Sequence, residues 1–288
     1  MVRELSRSTE LLNCLIAFSS KLNDFPHPLW DLGYQLESIE PRILLEDGKV
    51  AKPDIQFRKK DNYLLFFDCK DGYAENNQTE RYKNMKLADV KSAKITELED
   101  ENLGFDLAYF GTSEKEEKLM TSLGEAKSNF PVIILKEGEG KKSVIRNNDA
   151  AQFKQDDLNN VFKEVTIENK IPTKFVPFTI DDDNKTIITN LAQHFMSKGK
   201  SQFTLEQLIN EVFDHVVNFY QRAEVDALKS RIGNLLSDMT RNTDLKNYIK
   251  LSSGVYNVDI TSPRKFQTGC AKFLSDNNQK KLWVFDGE

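Results

Sequence analysis

Two acids and a lysine stand at the ends of two apolar segments. Asp54 follows Pro53 and opens the run Ile55-Gln56-Phe57, and Asp68-Cys69-Lys70 closes the run Leu64-Leu65-Phe66-Phe67. The polar stretch Lys59-Lys60-Asp61-Asn62 between them reads as a tight turn joining two strands. Side chains on a strand alternate faces, so Asp68 and Lys70 project to the same side. The hairpin brings Asp54, at the start of one strand, near the end of the other. Two carboxylates and one ammonium then converge at a sheet edge. Carboxylate oxygens suit Mg²⁺, which keeps several waters and takes one or two carboxylates. Such an ion polarises a phosphodiester and lowers the pKa of a bound water, while a lysine orients that water or offsets developing charge. The chemistry open to this set is metal-assisted phosphodiester hydrolysis.

Pro53-Asp54, thirteen intervening residues, and Asp68-Cys69-Lys70 resemble the motif of the PD-(D/E)xK nucleases, the restriction-endonuclease-like superfamily. Eight residues past Lys70, Gln78-Thr79-Glu80-Arg81-Tyr82 resembles the Q-x-x-x-Y element of the RecB-like branch. The resemblance covers about residues 1–137. It implies that Asp54 and Asp68 hold Mg²⁺, for which Mn²⁺ can substitute, and that Lys70 is the catalytic lysine. It also implies that Gln78 and Tyr82 sit four apart on one helix face beside the metal, with Tyr82 turned to DNA. Many members add an acid from the first helix; Glu10 is the candidate here, with Glu37 and Glu40 as alternatives. Cys69 occupies the variable position and is expected to face away from the metal as a small core residue.

The elements that must position these residues form an α/β order. An amphipathic helix carries Leu11, Leu12, Leu15, Ile16 and Leu22 with Ser8 as N-cap, and Pro26-His27-Pro28 ends the pattern. Strands are expected at Ile43 to Leu45, Ile55 to Arg58 and Tyr63 to Cys69, the last apolar on both faces and so central. A polar helix over Asn77 to Val90, a strand at Phe105 to Phe110, a helix opened by the box Ser113-Glu114-Lys115-Glu116, and a strand at Val132 to Leu135 follow. This order fits a restriction-endonuclease-like mixed sheet flanked by helices. Residues 138–172 are polar and read as a connector with a short helix near Asp156. Gly138-Glu139-Gly140 within it lacks the phosphate-loop pattern.

Residues 173–288 read as three helices and a hairpin. Ile187 to Met196 stops at Gly199. Thr204 with Gln207 opens a second helix, and Val225, Leu228, Ile232, Leu235 and Leu236 define a third. Tyr248 to Leu251 and Val255 to Val258 flank Ser252-Ser253-Gly254. The order is similar to a winged helix-turn-helix, in which the third helix enters the major groove. Gln221, Arg222, Lys229, Ser230, Arg231 and Asn234 are then available to DNA near and along that helix, with Arg241 and Lys250 beyond it. Glu224 and Asp226 oppose this. Asp181-Asp182-Asp183 reads as capping and solvation rather than a metal site.

Composition sets the remaining bounds. Across 288 residues the net charge is −5, which by itself counts against a phosphate-binding protein. The charge is uneven, however: residues 241–281 hold eight basic and three acidic side chains. Nineteen Phe and eight Tyr exclude a largely unfolded chain. Cys14, Cys69 and Cys270 are too scattered for a disulfide framework, and no apolar run or leader pattern points to a membrane or to export. The expectation is a cytoplasmic, Mg²⁺-dependent endonuclease acting on double-stranded DNA in restriction or mobile-element defence, dimeric where both strands are cut. A transposon end-cleaving subunit ranks second. A catalytically silent DNA-binding or assembly module is the alternative of a different class.

Overall fold

The computed structural model describes residues 5–60, 63–93, 103–138 and 140–285, and side-chain surroundings as far as Ser275. The chain forms two units, Arg7–Lys174 with Asn218–Gln221, and Phe175–Val217 with the residues from Arg222 onward.

In the first unit, α1 (Arg7–Phe18) buries every residue from Leu11 to Phe18. It begins at Arg7, whose ion pair with Glu10 at 2.7 Å lies within the first turn, so Ser8 is inside the helix and does not cap it. Pro28 starts the short α2 (Pro28–Asp31), where a proline's fixed φ suits a first helical residue. Then come β1 (Tyr34–Ile39), β2 (Ile43–Leu44), β3 (Val50–Ala51), β4 (Ile55–Lys59) and β5 (Tyr63–Cys69). The helices α3 (Asn76–Asn84) and α4 (Leu87–Ser92) precede β6 (Gly104–Thr112), and α5 (Glu116–Glu125) precedes β7 (Val132–Glu137). β8 (Lys142–Arg146), α6 (Asp156–Val161) and β9 (Val165–Ile167) complete the unit.

Seven strands make one mixed sheet in the order β1-β4-β5-β6-β7-β8-β9, with β2 and β3 as a separate hairpin. The pairs β5/β6 and β6/β7 are parallel and the rest antiparallel. All seven residues of β5 are buried, as a strand covered on both faces requires. One face carries Leu64, Phe66, Leu107, Tyr109 and Ile134 in a core shared with Tyr82, Leu119 and Leu123 of the helices. The other carries Phe67, ringed by Phe57, Phe153 and Phe162 at centroid distances of 6.2–6.4 Å.

Besides the Ser8 cap, four expectations change. The first strand of the meander is Tyr34–Ile39, while Ile43 and Leu44 belong to the small hairpin. Residues 138–172 are no connector: they add β8 and β9 to the sheet and bury Phe153, Leu158 and Phe162. The polar composition misleads because Asn159 bonds the backbone of Phe153 in both directions, at 2.9 and 2.7 Å, and so is itself buried. The helix over 77–90 breaks at Met85, which is extended, and restarts where the Asp89 carboxylate accepts from Lys86 N at 2.8 Å. No box forms at Ser113; residues 113–115 make a 3₁₀ turn without a side-chain cap. The turn residues Asp61 and Asn62, and Glu139, lie outside the described residues.

The second unit runs α7 (Asn184–Lys198), β10 (Lys200–Phe203), α8 (Leu205–Phe213), α9 (Arg222–Arg241), β11 (Ile249–Ser252), β12 (Val255–Asp259) and α10 (Pro263–Phe285). Asp183 caps α7 by accepting from Thr186 N at 2.7 Å, so the acidic run does cap. Gly199 ends that helix at φ 70°, a left-handed conformation that suits glycine. Thr204 and Gln207 form the reciprocal capping box of α8. The turn between β11 and β12 has φ 51° at Ser253 and 78° at Gly254, as a tight hairpin with matching twist needs. The sheet order is β10-β12-β11. Rings of Phe195, Phe203 and Tyr256 stack at 5.4 and 5.9 Å in its core. Neither β10 nor α10 was expected from the sequence. Among the described residues no helix is long and apolar enough to cross a membrane.

Candidate functional site

The antiparallel register of β4 and β5 sets the geometry. Ile55 lies opposite Phe67, and Asp54 N donates to Phe67 O at 3.0 Å. Continued by one residue, that register sets Asp54 opposite Asp68 on one face of the sheet. Asp68 is fully buried at 0% exposure, whereas Asp54 stays partly open. Asp54 Oδ2 accepts from Cys69 N at 2.6 Å, which fixes the carboxylate against the end of β5. Lys70 N in turn donates to Phe110 O at 2.8 Å, so the end of β5 that carries Asp68 and Lys70 is held by β6.

α3 supplies the rest. Gln78 and Tyr82, one helical turn apart, point to the same place. Lys70 Nζ donates to Gln78 Oε1 at 2.5 Å and lies 2.8 Å from Asp68 Oδ2. That second contact is the one polar partner of Asp68 Oδ2 among the described residues. Gln78 Nε2 donates to Asp68 Oδ1 at 3.3 Å and to Tyr82 Oη at 2.9 Å. The tyrosine hydroxyl has two acceptors for its one proton, Lys52 O at 2.7 Å and Asp68 Oδ1 at 3.1 Å. Gln78 thereby links the lysine to the buried acid.

Burial raises both carboxyl pKa values; at Asp54 the charge of Asp68 adds to it, while Lys70 opposes it in both. Burial disfavours the Lys70 ammonium, but Asp68 and Asp54 outweigh that and hold its pKa above the ordinary lysine value. Lys70 is therefore a cation at neutral pH. Burial also pushes the Cys69 thiol up, in keeping with a core residue. The donor set fits a hard divalent cation: two opposed carboxylates, one of them with an oxygen held only by the Lys70 ammonium, and no soft ligand turned toward them.

Five expected residues thus converge: Asp54, Asp68, Lys70, Gln78 and Tyr82. Tyr82, expected to face DNA, is instead buried at 2% exposure, because its hydroxyl is taken up by Gln78, Lys52 O and Asp68 inside the core. Glu10 does not join them; it pairs with Arg7 at 2.7 Å and Lys142 at 3.0 Å. Glu37 pairs with Arg58 at 3.3 Å. Glu40 is buried, held by Lys52 at 2.8 Å, and its charge also raises Asp54. Among the described residues no group of three or more His, Cys, Asp or Glu side chains is arranged to hold a metal ion. The sequence reading missed Lys52, whose carbonyl fixes Tyr82, and Glu75, whose charge bears on Asp68 and Lys70. It also missed Gln56, buried on the Asp54 side of β4 with neither amide atom hydrogen-bonded.

In the second unit the expected DNA contacts on α9 divide: Arg231 is tied to the chain, Lys229 is loosely paired, and Arg222 is 95% exposed. Arg231 donates to Asp182 O and to Asn184 Oδ1, Lys229 pairs with Glu206 at 3.7 Å, and Arg222 with Asp226 at 3.9 Å. Glu224 is buried rather than turned to solvent. Asn234, Arg241 and Lys250 are exposed.

A family model, the MJECL32 domain, matches residues 7–176. The chain is 26% identical over 184 residues to an uncharacterized protein MJECL32 of Methanocaldococcus jannaschii, covering 58% of this chain and 40% of that protein. It therefore spans about two fifths of that relative's length. No solved structure matches.

Proposed function

This chain belongs to the MJECL32 domain family, and we propose that it is a metal-dependent DNA endonuclease of the PD-(D/E)xK type, serving restriction or mobile-element defence. The observation that carries this is the hydrogen-bonded set Lys70–Gln78–Asp68–Tyr82 facing Asp54 across two paired strands. Asp54 and Asp68 would hold Mg²⁺ or Mn²⁺. When bound, such an ion polarises the phosphodiester and lowers the pKa of its water. Lys70 stays protonated, so it orients water and offsets charge on the phosphate rather than abstracting a proton. Gln78 fixes the ammonium by accepting from it and fixes Asp68 by donating to it. Tyr82 offers its one proton either to Lys52 O or to the buried Asp68 carboxylate.

The second unit supports duplex DNA as the substrate. Its order of helix, strand, two helices and a two-stranded hairpin resembles that of a winged helix-turn-helix, which supports this reading. The test is cleavage of methylated and unmethylated plasmids in Mg²⁺ and in Mn²⁺, with the cut ends mapped. The wild-type chain is expected to cut. Asp68→Ala and Lys70→Ala should lose roughly 10²-fold or more in rate while still binding DNA. A wild-type chain that cuts neither substrate in either ion sinks the reading.

A further inference from the structure

Cations that face solvent in the second unit gather on α10 and the segment before it. Six basic and two acidic residues lie within 241–275. Arg264 and Lys265 have no ion-pair partner among the described residues, whereas on α9 Lys229 and Arg222 pair with Glu206 and Asp226 and Arg231 is hydrogen-bonded to Asp182 O and Asn184 Oδ1. Together with Lys272 they line a cleft of about 440 Å³ between α10 and the segment around Asp244. Gly269 lets the cleft close: a Cβ there would meet Leu245 Cδ2 at 2.9 Å and Asp244 O at 3.3 Å. Tyr248, half-buried with its ring edge-on to Phe266 at 5.6 Å, forms a further wall. The lining holds one carboxylate, Asp244, and Lys272 offsets it at 3.6 Å.

The first turn of α10 sharpens this. It reads Pro263-Arg264-Lys265-Phe266 and contains no acid, although a helix N-terminus favours acids and disfavours cations. Two cations kept against the dipole make a concave anion site that a bound phosphate would relieve. A cleft of this size admits one nucleotide unit, and an aromatic wall beside cations suits nucleic acid better than an acidic peptide.

We propose that this α10 cleft, through Arg264, Lys265 and Lys272, grips the DNA backbone phosphate and supplies much of the chain's nonspecific affinity. The proposal rests on the reading of the chain as a DNA-acting protein and moves the main phosphate contacts from α9 to α10. The experiment measures duplex binding by full-length protein in EDTA, by anisotropy, across about 50–200 mM KCl. The Arg264→Gln/Lys265→Gln pair is expected to weaken binding roughly tenfold or more and to flatten the log–log salt slope by about two, near 0.9 per lost phosphate contact. An Arg222→Gln/Lys229→Gln pair should leave the slope nearly unchanged. Both α10 residues are exposed, and circular dichroism checks that the variant folds. An unchanged slope in the α10 pair overturns the site, as does a wild-type chain that binds no duplex or binds a glutamate-rich peptide of matched charge equally well. Mg²⁺-dependent cutting is scored separately. A flattened slope in a chain that never cuts therefore keeps this site while removing the nuclease.

Discussion

Asp68 pairs with the Lys70 ammonium, whose charge also reaches Asp54 across the strand pair, and both carboxyls titrate above their ordinary range, first because of burial. A raised native pKa means that, between the unfolded and native values, the folded chain binds more protons than the unfolded one. Stability without metal therefore falls as pH rises through that interval. A divalent ion needs both groups ionised, so its stabilising effect must grow over the same interval. The expected outcome is a Mg²⁺-induced rise in Tm that is larger near pH 8 than near pH 5. Asp54→Asn should raise the metal-free Tm at the higher pH by a few degrees, for about 1 kcal/mol, and remove the Mg²⁺ shift. Equal shifts at both pH values, or an Asn variant that melts lower, contradict this account. The five converging residues were legible because strand alternation and helical i,i+4 spacing act on residue type. Lys52 was not, since its part is played by a backbone carbonyl, which every residue has.

Among the elements, two capping boxes looked alike in the sequence and only one forms. Thr204 accepts from Gln207 N at 3.3 Å and Gln207 Oε1 accepts from Thr204 N at 2.8 Å, whereas residues around Ser113 make a 3₁₀ turn with no side-chain cap. Thr204→Ala is expected to cost about 1 kcal/mol, and Ser113→Ala close to nothing, both read from urea midpoints. A Ser113 variant that loses as much as the Thr204 variant would refute the distinction. Strands with strong apolar content, such as β5 and β7, were readable in advance. The reading missed β1 and β10 because Tyr34-Gln-Leu-Glu-Ser-Ile and Lys-Ser-Gln-Phe lack a clean alternation, and their partners decide them. α10 escaped notice because Pro263, two cations and Gly269 disguise its start.

At the scale of the molecule, sequence order and structural membership part company. Asn218–Gln221 lies deep in the second half yet belongs to the first unit: Tyr220 bridges Ile39 in parallel, and Phe219 O accepts from Ser38 Oγ at 3.2 Å. Ser38 and Ile39 lie on β1, an edge strand of the seven-stranded sheet, so this segment covers hydrogen-bonding groups that an edge would otherwise expose. Deleting everything after Lys174, the obvious way to ask what the second unit contributes, therefore also strips the first unit of an edge partner and of the buried Tyr220. A fragment ending at Lys174 is expected to keep its seven strands but to melt below the first unit of the full chain. Tyr220→Ala in the full chain should lower stability in the same direction, by roughly 3 kcal/mol for a large buried ring. Differential scanning calorimetry checks both. If the fragment melts as the intact unit does, the segment is dispensable and truncation becomes a fair test of targeting. If it melts lower, loss of site selection in the fragment says nothing about DNA reading, and the charge substitutions on α9 and α10 are the experiments that do.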